Sequence, residues 1–158
     1  MKTDRIETYQ QKKRRLFGRF HHMAEYIEVL SRLLTVTKKQ EDVWSIVESD
    51  IFIEKSKIVK WELLYKDNFL FRDKQHLLDV LRNNIEDWNE SFSFFISNSE
   101  YCGLVSISSL HEINWDFNFH DDPGGILCLE SMNHKVRIIL DYYMERNTEL
   151  IEVAIYKS

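Results

Sequence analysis

The chain holds a single proline, four glycines and two cysteines in 158 residues. So little proline and glycine argues against long flexible linkers and against disorder. The two cysteines, Cys102 and Cys128, stand in apolar, strand-like company with no Cys-x-x-Cys pair. That excludes zinc-ribbon and thioredoxin-type spacing. It leaves buried reduced thiols or a bridge between neighbouring strands as the alternatives. No apolar run approaches 18 residues, so no membrane-spanning helix is expected. The opening Met1-Lys2-Thr3-Asp4-Arg5 lacks the apolar stretch of a secretory signal, so a cytoplasmic location is expected. Nucleophile and cofactor signatures are missing too: there is no Gly-x-Ser-x-Gly, and Gly124-Gly125 lacks the Lys-Ser/Thr of a phosphate loop. No cofactor and no catalytic residue is assigned.

Charge is plentiful but unevenly spread. Residues 1–20 carry seven basic groups against two acidic ones, a net +5, which leaves 14 basic and 24 acidic groups, a net −10, on the other 138 residues. Such asymmetry speaks of partners rather than of fold. Asp4 and Glu7 fit a capping box, and Ile6, Tyr9, Leu16, Phe20, Met23, Ile27, Leu30 and Leu34 then recur at steps of three and four. Only Lys13 interrupts this seam. The spacing predicts one long basic amphipathic helix over residues 1–37, with homodimerisation through the seam as one use for it.

Further on, Glu41 to Val47 reads as a short helix and Ile51-Phe52-Ile53 as the start of a strand. Val59 to Tyr65 alternates, Lys66-Asp67-Asn68 reads as a turn, and Phe69-Leu70-Phe71 returns. Asp73 is placed to cap a helix carrying Leu77, Leu78, Leu81, Ile85 and Trp88. From residue 92 onward the pattern is β. Phe92, Phe94 and Ile96 are followed by a turn at Asn98-Ser99 and a return over Tyr101 to Ile107. Trp115 to Phe119 and Ile126 to Leu129 form a hairpin joined by His120-Asp121-Asp122-Pro123-Gly124-Gly125, and the segments at Val136–Tyr142 and Ile151–Ile155 close the series. The expected architecture is a single α+β domain spanning 1–158, with a long N-terminal helix and one or two further helices packed on a curled, mainly antiparallel sheet of about six strands over 92–158. This order of elements is similar to that of the nuclear-transport-factor-like cone fold, a likeness of order alone that implies nothing about function.

Nine carboxylates (Glu112, Asp116, Asp121, Asp122, Glu130, Asp141, Glu145, Glu149 and Glu152) face only Lys135, Arg137, Arg146 and Lys157 over the same region. Concentrated carboxylates steer a basic partner into place, and aromatic side chains beside them are the usual anchors of protein interfaces. The expectation is therefore a non-catalytic binding protein, most concretely an immunity- or antitoxin-like inhibitor whose acidic sheet face occludes the basic cleft of a toxin. Its contacts would be Trp115, Asp116, His120, Asp121, Asp122 and Glu130. Two other readings stand beside it. Lys12, Lys13, Arg14, Arg15 and Arg19 would serve a nucleic-acid-associated regulator, although four consecutive basic residues on a helix point in every direction. A cone-type fold would instead hold a pocket enzyme or ligand carrier. His111, Asp116, His120, Asp121, Asp122 and His134 lie within 24 positions, but no known ligand spacing is present and no metal is assigned.

Overall fold

The computed structural model describes residues 4–118 and 125–158. It is an α+β structure in which helices cover both faces of one six-stranded antiparallel sheet. In chain order the elements are α1 (Tyr9–His21), α2 (Met23–Leu33), α3 (Ile46–Ile58), β1 (Glu62–Leu70), α4 (Lys74–Asn84), β2 (Phe92–Phe95), α5 (Ser99–Cys102), β3 (Val105–Ile107), β4 (Ile126–Ser131), β5 (Val136–Glu145) and β6 (Thr148–Lys157). Short 3-10 turns stand at Gln40–Asp42 and Leu110–Glu112. The strands run in the order β1-β6-β5-β4-β2-β3, and the ladder does not close, leaving β1 and β3 as its edges.

Side-chain alternation explains how the sheet is covered. Leu127 and Leu129 of β4, Ile138 and Leu140 of β5, and Ile151, Val153 and Ile155 of β6 point to one face. There they meet Tyr26, Val29, Leu30 and Leu33 of α2 and Leu77, Val80 and Leu81 of α4. This is the main core. The opposite face is covered at one end only, where Phe52 of α3 joins Trp44 and Leu104 in a smaller cluster. α1 lies outside both clusters and packs against α5, α2 and α3.

Several elements form as their residues dictate. Asp73 caps α4 by accepting from the His76 amide at 3.1 Å. β5 and β6 are joined by Arg146-Asn147, both at positive φ, the two-residue turn whose twist matches that of the paired strands.

Elsewhere the structure departs from the periodicity. The single helix expected over 1–37 is two helices, interrupted at His22 (φ −131°). The first is capped not by Asp4 but by Thr8, whose hydroxyl accepts from the Gln11 amide while the Gln11 side chain accepts from the Thr8 amide. Ile51-Phe52-Ile53 lies inside α3, which starts at the Ser45 cap. Lys66-Asp67-Asn68 is the middle of the continuous strand β1, polar because an edge strand is solvated along its free side. Tyr101 and Cys102 belong to α5, and only Val105–Ile107 forms β3. Trp115 to Asn118 is irregular rather than a strand: the Phe117 amide turns back to the Asn114 carbonyl at 3.0 Å. The sixth strand is thus β1, from the first half of the chain.

Candidate functional site

Of the residues expected to meet a partner, His120, Asp121 and Asp122 lie outside the described residues. The other three go separate ways. Trp115 is half-buried, with its indole N–H donating to the Leu110 carbonyl at 3.0 Å and its ring against Trp88. It packs against the core. Asp116 is exposed and lies in the field of Lys74, whose ammonium sits 3.2 Å from the Phe71 ring centroid. Burial brings the Lys74 pKa down to about 8, against the opposing pull of Asp116 and Glu149.

Glu130 is the clearest correction. It is only 4% exposed and sits beneath α3, on the covered end of the sheet. One carboxylate oxygen accepts from the Ser56 hydroxyl at 2.6 Å and from Arg137 Nε at 3.0 Å. The other meets His134 Nδ1 at 2.5 Å. Arg137 also donates to the Ser56 hydroxyl and lays its guanidinium over the Trp61 ring, 4.3 Å from the centroid. His134 packs its ring against Phe52. A buried carboxylate is tolerable only when its lone pairs and charge are answered in this way, and removing one partner of such a set costs about 3–5 kcal/mol. These four side chains therefore bind α3 to the β4–β5 hairpin and leave Glu130 out of any docking epitope. Register explains why: Glu130 stands opposite Arg137 across the hairpin, two positions beyond the Cys128–Ile139 pair.

Beside this cluster, α3 and the sheet enclose a groove of about 400 Å³ lined by Ile53, Phe95, Leu104, Cys128 and Ile139, with Arg137 and Glu130 at one side. Its thiol is inert. Burial pushes Cys128, like Cys102, up to about 11, so both stay protonated at neutral pH, and both are free cysteines.

The remaining carboxylates of the sheet do not share one surface. Glu149 lies near Tyr142 and Lys74. Glu112 accepts from the Ser108 amide at 2.9 Å and so serves its own turn. On the outer face, beyond the reach of α3, Asp141 stands directly opposite Glu152. Lys66 approaches Glu152 at 3.7 Å. Burial, and then the negative charge of Glu152, hold the Asp141 carboxyl above the usual carboxylate range. Tyr143, two pairs further along, accepts from the Asn68 amide group at 2.7 Å.

The basic run is divided as well. Arg14 turns inward in a two-pronged pair with Asp50 at 2.7 and 3.0 Å and donates to the Glu100 carbonyl. Arg15 is held by Glu7 at 2.7 Å. Lys12, Lys13 and Arg19 are exposed. Arg14 thus pairs with α3 and α5 and Arg15 with the N-terminal segment, away from the sheet carboxylates. Among the described residues no three His, Cys, Asp or Glu side chains gather to hold a metal ion; His111 instead lies against the Trp88 ring. No helix among them is long and apolar enough to cross a membrane. Comparison with protein-family models, with curated proteins and with solved structures gave no match.

Proposed function

We propose that this chain is a non-catalytic binding protein that docks a basic partner on the uncovered outer face of β1, β6 and β5, as an immunity- or antitoxin-like inhibitor does when it fills the cationic cleft of a toxin. The observation that carries this reading is the Asp141–Glu152 pair. Two like charges directly opposite on adjacent strands destabilise the sheet, and here they sit on the half of the face that none of the described helices covers, with Lys66 answering Glu152 alone. A cation from a partner relieves that repulsion on docking, so the arrangement favours the bound state over the free one. Tyr143 beside Asp141 adds an amphipathic aromatic surface of the kind interfaces use. In this reading the contacts are Asp141, Glu152, Tyr143 and the exposed Glu145. Asp116 remains at the margin, and Trp115 and Glu130 act from within.

The test is affinity capture from the native cytosol with wild-type protein and with Asp141→Lys/Glu152→Lys. The expected result is a basic protein retained by the wild type, released by salt and lost from the double variant, whose enzymatic activity is inhibited by the wild-type chain alone. Equal retention by both proteins would remove the sheet face from the reading, and a retained partner that is not inhibited would remove the inhibitor role.

A further inference from the structure

α1 is amphipathic, but the face it turns to its own protein is the polar one. At 3.6 residues per turn Tyr9, Lys13, Leu16, Phe17 and Phe20 fall within an arc of about 100°. Most of that arc points away from the body: Tyr9 is 72% exposed and Phe20 75%, and Ile6, just before the helix, is 86% exposed, while Phe17 at the edge of the arc packs its ring on Tyr101 of α5. The docked side is made of Gln11, which donates to Asp50 at 3.0 Å, of Arg14 with its Asp50 and Glu100 contacts, and of Gly18. A Cβ at Gly18 would come within 2.1 Å of the Tyr101 carbonyl oxygen, so only glycine allows α1 to lie this close to α5. The orientation is thus fixed by specific contacts, and the apolar stripe is held outward.

The charges around the stripe say what covers it. Of the nearby acidic groups, Glu7 is engaged by Arg15, Asp50 by Arg14 and Glu54 by Arg5, and the exposed Asp4 precedes the helix. The exposed groups flanking Tyr9, Leu16 and Phe20 are the cations Lys12, Lys13 and Arg19. Lys13 lies in the middle of the stripe, so a second copy of α1 laid on the first brings like charges into the seam. Bulky apolar and aromatic side chains flanked by lysine and arginine are what a helix needs to lie in the headgroup layer of an anionic bilayer. We propose that α1 binds an anionic lipid surface, with Tyr9, Leu16 and Phe20 entering the acyl boundary and Lys12, Lys13 and Arg19 meeting phosphate headgroups. The body, net −10 outside the first twenty residues, is then turned away from the membrane.

The experiment is co-sedimentation of the full chain with vesicles of phosphatidylcholine alone or with roughly one third phosphatidylglycerol, accompanied by sedimentation velocity without lipid. Binding is expected on the anionic vesicles only and is expected to weaken with salt. Tyr9→Ser/Phe20→Ser and Lys12→Glu/Lys13→Glu should each lower it by on the order of tenfold or more with an unchanged unfolding midpoint, because these side chains are exposed. Absence of vesicle binding overturns the proposal. So does binding that survives Tyr9→Ser/Phe20→Ser, which would be electrostatic adsorption alone. A dimer in the velocity run that these serines dissociate would assign the stripe to a second copy. Retention of random duplex DNA in place of vesicles, abolished only by the charge reversal, would assign the cations to nucleic acid.

Discussion

α1 and α2 share one sequence pattern and have opposite fates. The same alternation of three and four runs from Ile6 to Leu34, yet in α2 it buries Leu30 and in α1 it exposes Tyr9 and Phe20. The break at His22 separates the two outcomes. Periodicity says that a helix has an apolar side; it does not say that the side faces inward. In α2 the stripe meets the sheet. In α1 polar contacts to Asp50 and Glu100 fix the opposite side to the body.

The largest effect that sharpens this contrast is a pair of truncations. Leu30→Ala should cost about 2–5 kcal/mol through the cavity it leaves, whereas Phe20→Ala should stay within about 0.5 kcal/mol of wild type; urea unfolding measures both. A comparable loss at Phe20 would mean that α1 packs by its stripe after all. Next comes Gly18→Ala. In a free helix the change helps by about 1 kcal/mol, but the clash with the Tyr101 carbonyl should reverse the sign, for a net loss of about 1–3 kcal/mol. Hydrogen exchange should show the loss concentrated in α1 and α5. Arg14→Ala removes the charged tether and should cost about 1–2 kcal/mol, with α1 amides losing protection before those of α2.

The smallest effect carries the comparison to the sheet, where Glu130 is a buried acid with partners and Asp141 a half-buried one facing another acid. Asp141→Asn should stabilise by about 0.2–1 kcal/mol. The sign of its pH dependence follows from the raised folded pKa. The folded carboxyl keeps its proton to higher pH than the unfolded one, so stability falls as pH rises through that window. The asparagine variant should lack this fall, as thermal unfolding between acid and neutral pH will show.

Much of the fold was legible where a single rule governs. The Asp73 cap, the inward Leu77 and Leu81, and the alternation of β5 and β6 all follow from local periodicity and packing on one face. α3 escapes periodicity because it lies between α1 and the sheet. Apolar and polar residues occur on both of its sides, so no stripe announces it. β1 reads as two pieces because an edge strand tolerates Lys66-Asp67-Asn68 as a turn would. For the candidate site, an acidic run in the sequence did not reveal that strand parity and helix cover divide its members. One signal was within reach: pairing Leu129 with Ile138 across the short β4–β5 turn forces Glu130 opposite Arg137, and a charge so matched belongs to the molecule itself.

The strand order also bears on how the chain is made. Among the described strands β1 hydrogen-bonds only to β6, so of these six the earliest to leave the ribosome waits for the latest, with the other four synthesised in between. During that interval Leu63, Leu64 and Tyr65 stand in an unpaired ribbon that any passing strand could join. Nascent chains stalled before β6 should therefore draw chaperones to β1, and release of the final strand should end the association.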